Sequence, residues 1–138
     1  MERTLAIIKP DAVERKFTGD IMKRIEAAGL RVCALKLMKL SPQQAELFYE
    51  VHRERPFFQS LCDYMSSGVV VIAVLTGEGA IGRWRELMGA TDPAKAASES
   101  LRKEFGLDIE KNAVHGSDAP ETAAREIAFF FSRLEIVS

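Results

Sequence analysis

Val69 through Leu75 is an unbroken run of seven apolar residues, five of them β-branched. It is the longest such run in the chain and far too short for a membrane span. Its length and composition predict a buried strand at the centre of a sheet. Other elements must therefore cover it. With 138 residues the chain suits one domain spanning residues 1–138, and its 47% hydrophobic and 28% charged content is that of a globular protein.

Partners for that strand can be read on either side. Thr4–Ile8 is β-rich and stops at Lys9-Pro10-Asp11, a strand running into a turn. From about Thr18 to Ala28, Ile21, Ile25 and Ala28 follow helical spacing, and Gly29 ends the helix. Arg31–Leu40 alternates like a strand with one partly wet face. Ser41-Pro42-Gln43-Gln44 is a capping box with proline at the first helical position, and predicts a helix through Tyr49 and His52. A second helix carries Leu61, Tyr64 and Met65, and another runs from about Ala80 to Met88. Gly89–Phe105 reads as irregular, Asn112–Asp118 as a short polar strand or loop, and Pro120–Phe131 as a final helix. This order predicts an α+β fold, a ferredoxin-like antiparallel sheet with helices packed on it, mainly on one face.

Charge and cysteines narrow the function. Nineteen basic against twenty acidic residues give a net charge of −1, which disfavours a general nucleic-acid binder. Any phosphate chemistry must rest on a local cluster of cations. Cys33 and Cys62 form no C-x-x-C motif, so neither a zinc ribbon nor a disulfide framework is expected. The N-terminus offers only Leu5–Ile8 before Lys9, which does not read as a secretory signal, and a reducing cytoplasm is the expected home.

Two motifs invite a chemical reading. Gly77-Glu78-Gly79-Ala80-Ile81-Gly82 matches G-x-G-x-x-G after a strand, but the chain beyond it is too short for two βαβ halves, so a turn and helix start are expected. The histidines differ in their surroundings. His52 sits beside Arg53 and Glu54 and reads as a solvated surface residue. His115 lies in Asn112-Ala113-Val114-His115-Gly116-Ser117-Asp118, where Gly116 leaves room for a bulky ligand beside the imidazole and Ser117 and Asp118 can position it. With no second histidine or cysteine at ligand spacing, a metal site at His115 is not expected.

Asn112-x-x-His115-Gly116-Ser117-Asp118 resembles the signature of nucleoside diphosphate kinases. Arg3–Asp11, Arg55–Phe58, Met65–Gly68, Leu87–Thr91 and Ala124–Phe130 are similar to the same family, so the resemblance covers nearly the whole chain. It implies a ferredoxin-like fold. It also implies reversible ping-pong transfer of the γ-phosphoryl group of a nucleoside triphosphate, typically ATP, to a nucleoside diphosphate. His115 matches the nucleophile, Glu126 the residue that hydrogen-bonds near it, and Ser117 a group between them. Arg85, Thr91 and Arg102 match phosphate ligands, Lys9 and Asn112 the sugar contacts, and Tyr49 a neighbour of the histidine. Phe57 matches the base-stacking aromatic, with Leu61 and Ile109 as apolar neighbours for which core packing is an equally open reading.

The resemblance further implies broad base and sugar tolerance, magnesium carried by the nucleotide phosphates, and a homo-oligomer, a tetramer or hexamer built from dimers. Asp118 is the nearest acidic candidate for an indirect magnesium contact. The chain departs from the pattern at Ser98-Glu99-Ser100, where members usually carry Gly-Thr, at Val69 for a usual proline, and at Ala119 for a usual serine. A binding module that keeps the nucleotide pocket without turnover is the rival class, and an assay with ATP and a second diphosphate separates the two.

Overall fold

The computed structural model describes residues 1–137. Four strands, β1 (Glu2–Ile8), β2 (Arg31–Lys39), β3 (Val69–Gly77) and β4 (Val114–Gly116), form one sheet in the order β2-β3-β1-β4. Every neighbouring pair is antiparallel. This is the ferredoxin-like arrangement, with β1 and β3 at the centre. Seven α-helices connect the strands: α1 (Pro10–Glu14), α2 (Thr18–Ala27), α3 (Pro42–Phe48), α4 (Phe58–Met65), α5 (Ala80–Met88), α6 (Leu101–Phe105) and α7 (Pro120–Phe130).

The apolar run of β3 is explained by burial on both sides. Val70, Ile72 and Val74 join Leu5 and Ile7 in one core, against Phe48, Met65, Ala123, Ile127 and Phe130 from α3, α4 and α7. Val71, Ala73 and Leu75 join Ala6 and Ile8 in a second, against Ile21, Ile25, Trp84, Met88 and Leu101 from α2, α5 and α6. Alternate residues of a strand face opposite ways, so one strand feeds both layers. The helices thus cover both faces of the sheet rather than mainly one. A single-faced sheet would have needed polar alternation in β3, which it lacks.

Three local readings also change, the first at Lys9-Pro10-Asp11, where the expected turn is the start of the short helix α1. The helix expected through His52 ends at Phe48, and a 3-10 turn covers Glu50–His52. Part of the segment read as irregular is helical: a 3-10 turn at Pro93–Lys95 and then α6. Ser100 caps α6, its hydroxyl accepting from the Lys103 N–H at 3.3 Å. Five residues are too few to show periodicity, so the cap was the available signal. At α7, Ala119 has no side-chain acceptor to cap with. Instead Thr122 reaches back, its Oγ1 accepting from the Ala119 N–H at 3.0 Å.

β2 is an edge strand, and Leu35 and Leu37 on it are 55% and 68% exposed. No helix among the described residues is long and apolar enough to cross a membrane.

Candidate active site

The site gathers where the short edge strand β4 lies against β1. His115 sits opposite Ile7 in the sheet register. Its side chain is 18% exposed, and its Nε2 lies 3.1 Å from Glu126 Oε1 on α7. An ionised carboxylate only accepts, so Nε2 carries the proton and Nδ1 keeps its lone pair. The Ser117 hydroxyl donates to the same Glu126 oxygen at 2.7 Å and accepts from the Leu5 N–H at 3.2 Å. Burial raises the Glu126 carboxyl, but the hydrogen bonds from His115 and Ser117, with the nearby Arg125 charge, hold the group below the usual carboxylate range. Glu126 therefore remains ionised at neutral pH.

Aromatic rings wall the imidazole. Phe48 and Tyr49 stand edge-on to it, with centroids 5.5 Å and 6.1 Å away. The Tyr49 hydroxyl is buried with no hydrogen-bond partner among the described residues, and burial pushes its pKa far above the ordinary phenol value.

Behind the histidine, the Trp84 indole N–H donates to the His115 carbonyl at 3.1 Å. Gly116 serves this contact rather than ligand access. A Cβ there would lie 2.6 Å from Trp84 and from the end of Met88, both on α5. Gly116→Ala is therefore expected to cost about 1–3 kcal/mol by forcing α5 off the sheet, measured as a lowered denaturant midpoint at unchanged slope. Trp84 and Phe48 are neighbours that the sequence reading missed. The lone tryptophan one residue from Arg85 was the signal available for the first.

The phosphate and sugar candidates converge from other elements. Arg102 on α6 donates from Nη1 to the Gly89 carbonyl and from Nη2 to the Val114 carbonyl, each at 2.9 Å. Burial, with Arg85 repelling it, lowers its pKa to about 10, so it remains charged at neutral pH. Arg85 is exposed on α5. Asn112 donates to the Thr91 carbonyl at 2.9 Å and accepts from Lys9 Nζ at 2.8 Å. Lys9 is buried at the end of β1, where its backbone N–H donates to the Ala113 carbonyl at 2.8 Å. Ala113 has φ 74°, a left-handed conformation that a residue other than glycine adopts only under strain.

Burial is also the main reason that the Lys9 pKa falls from 10.5 to about 8, with Arg102 adding to it and Asp11 opposing. The unfolded chain binds more protons than the folded one between these values. The Lys9 penalty is thus fully present below about pH 8 and is relieved as pH rises toward 10.5. Stability should then rise above about pH 8, read as a gain in the urea midpoint. Lys9→Met is expected to flatten this slope when the two chains are compared over the same range.

Not every candidate is drawn together. Phe57, at the start of α4, is 46% exposed and contacts His52, whose ring lies 5.5 Å away. His52 is half-buried and stacks on Tyr49 at 6.5 Å, so it is not the solvated residue its charged neighbours suggested. Leu61 packs partly against the core, whereas Ile109 is 64% exposed, which excludes core packing for it. Asp118 is exposed; chiefly the Thr122 hydroxyl, with help from Arg85 and His115, keeps its carboxyl below the usual range. Glu99 is exposed, and its carbonyl accepts from Arg24.

Among the described residues, no group of three or more His, Cys, Asp or Glu side chains could hold a metal ion. A cavity of about 1020 Å³ lies elsewhere, lined by Arg3, Arg31, Cys33, Ile127 and Phe131 among others. None of the candidate residues lines it, so the chemistry locates the site better than volume does.

Comparison with known proteins shows the family. The sequence model of the nucleoside diphosphate kinase family matches residues 2–136. A nucleoside diphosphate kinase of Desulfatibacillum aliphaticivorans is 61% identical over 136 residues, 99% of each chain. One from Geobacter sulfurreducens is 58% identical over 137 residues, covering 99% of this chain and 100% of that protein. The crystal structure of the Aquifex aeolicus nucleoside diphosphate kinase superposes with a TM-score of 0.97 at 54% identity over 99% of each chain. A Halobacterium salinarum nucleoside diphosphate kinase in complex with CDP gives 0.95 at 40% identity, covering 99% of this chain and 91% of that one.

Proposed function

The chain belongs to the nucleoside diphosphate kinase family, and from that membership we propose a two-step mechanism in which His115 carries the phosphoryl group. The reaction is phosphoryl transfer between nucleoside tri- and diphosphates. The observation that carries the mechanism is the Glu126 carboxylate on Nε2 of His115, which leaves Nδ1 as the nucleophile. Nδ1 attacks the γ-phosphorus, the bond to the β-phosphate bridging oxygen breaks, and the diphosphate leaves. The incoming diphosphate then attacks the same phosphorus, breaking the P–N bond and restoring the imidazole. Glu126, held by Ser117, balances the positive charge that the ring carries between the steps.

Arg85, Thr91 and Arg102 take the phosphates, where fixed cations stabilise charge spread over the transferred oxygens. Two hydrogen bonds to backbone carbonyls hold the Arg102 guanidinium in one orientation, which supports this role. Lys9 and Asn112 take the sugar hydroxyls, and the unpaired Tyr49 hydroxyl is a donor held beside the nucleophile. Phe57 stacks on the base. Since stacking is tolerant of base identity, purine and pyrimidine, ribose and deoxyribose nucleotides are all expected as substrates.

Magnesium fits the site as part of the nucleotide, because it prefers phosphate and water oxygens and few protein ligands. It would neutralise charge on the nucleotide phosphates when bound, with Asp118 the nearest acidic candidate for an indirect contact. The reading extends to a single domain over residues 1–138 acting in the cytoplasm, where the free thiols of Cys33 and Cys62 would stay reduced. The exposed leucines of β2 support a homo-oligomer, a tetramer or hexamer whose dimers form along that edge.

The test is to incubate the chain with ATP labelled at the γ-phosphate and no acceptor. Label is expected on His115, labile to acid, stable to alkali, and released by any added nucleoside diphosphate. Label that stays after an acceptor is added, or that survives acid, would contradict the mechanism.

A further inference from the structure

Helix α1 begins directly after Lys9, and its side chains bind two other elements of the site. Tyr64 lies on α4, one turn beyond Leu61 and two beyond Phe57. Its hydroxyl accepts from the Asp11 N–H at 2.9 Å and donates to the Asp11 carboxylate. Asp11 is buried, and its other oxygen takes Arg15 Nη2 at 3.1 Å. Arg15 also donates from Nε to the Asp11 carbonyl at 3.0 Å and from Nη2 to the carbonyl of Phe105, the last residue of α6. Phe17 packs on Phe105 with centroids 4.6 Å apart, and Lys111, beside Asn112, sits 5.8 Å over the Tyr64 ring.

One short helix is therefore linked through Tyr64 to the element carrying Phe57, and through Arg15 to the element carrying Arg102. The stretch from Tyr49 to Phe57 contains only a 3-10 turn and turns, so it is poorly suited to fix the seat of α4 from its N-terminal side. Phe57 is itself half exposed. Cys62 and Met65 anchor the C-terminal half of α4 in the core, so the freedom left to the ring is a pivot of the N-terminal turn about that anchor.

We propose that Asp11, Arg15 and Tyr64 form a clasp that sets the spacing of the nucleotide subsites: Tyr64 is a positioning residue for the base platform, and Arg15 one for the phosphate cation Arg102. This rests on the assignment of Phe57 to the base and Arg102 to the phosphates. The two arms are separable. Both meet on Asp11, but the Tyr64 hydroxyl acts chiefly on the base platform and the Arg15 fork, through the Phe105 carbonyl, chiefly on α6.

The experiment measures phosphorylation of His115 by ATP and by ribose 5-triphosphate, which lacks a base, in the full-length chain. Tyr64→Phe keeps the ring and removes one hydroxyl. It is expected to raise KM for ATP about three- to tenfold, the size of one hydrogen bond. KM for ribose 5-triphosphate and kcat for both donors should stay within about twofold. Arg15→Lys keeps a charge beside Asp11 but loses the fork that also reaches Phe105. It is expected to lower kcat about three- to tenfold with both donors, leaving their KM ratio unchanged.

A control separates the clasp from the site it serves. Phe57→Ala should abolish the advantage of ATP over the abasic donor. If Phe57→Ala leaves that advantage intact, the base platform is misassigned and the clasp falls with it. If Phe57→Ala removes the advantage but Tyr64→Phe changes both donors equally or neither, the clasp is wrong and the site stands. A lowered Tm for Tyr64→Phe with an unchanged ratio of KM values shows a hydroxyl of structural value only, and overturns the proposal.

Discussion

His115→Ala is expected to lose phosphoryl transfer by about 10⁴-fold or more, because no other nucleophile replaces the Nδ1 lone pair. The fold should survive. His115 lies on the edge strand β4, and its backbone contacts, including the carbonyl that receives the Trp84 N–H, do not depend on the side chain. Glu126 loses one partner but keeps the Ser117 hydroxyl at 2.7 Å, so the expected stability loss is about 1 kcal/mol. Steady-state assay and a denaturation curve on the same sample separate the two effects. Turnover near the wild-type rate would mean that phosphate passes directly between nucleotides, and the covalent mechanism would have to be abandoned.

Arg102→Ala is expected to reduce kcat by about 10²–10³-fold, the typical effect of removing one fixed charge from around a transition state. It differs from His115→Ala in that it should also destabilise the protein. The guanidinium ties the Gly89 carbonyl to the Val114 carbonyl, and cutting both bonds costs about 1–3 kcal/mol. Lys39→Ala is the comparison, since Lys39 is an exposed cation at the end of the edge strand β2. It should change neither rate nor midpoint appreciably. Equal losses from the two substitutions would show that the phosphates bind elsewhere.

Much of the fold follows from short-range pattern. The apolar run of β3, the β-rich start of β1 and the Ser41 capping box each dictate an element through properties of neighbouring residues. The box forms as the spacing predicts, with Gln44 N–H on Ser41 Oγ at 3.1 Å and the Ser41 N–H on Gln44 Oε1 at 2.8 Å. The motif around His115 was legible for a similar reason: Asn112, His115, Gly116 and Ser117 are close in sequence, and resemblance to a family supplied their expected roles. His52 was not legible. Its charged neighbours Arg53 and Glu54 face water, while a turn rather than a helix sets its ring between Tyr49 and Phe57. Gly116 was misread because the side chains it must avoid, Trp84 and Met88, come from an element about thirty residues earlier.

The sequence by itself determined the long strands and the longer helices, though not the short helices α1 and α6, and it determined which residues can be nucleophile, acid or cation and that β3 must lie inside. Those properties reside in single side chains and their near neighbours. Tertiary structure decided that helices cover both faces, that Lys9 meets Asn112 across 103 residues, and that the Leu5 N–H meets Ser117 across 112. It also decided that Tyr64 meets Asp11 across 53. Such pairs form only after the sheet closes β4 onto β1 and the helices seat on its faces. Their hydrogen bonds, buried lysine and strained Ala113 are consequences of packing, and no local pattern encodes them.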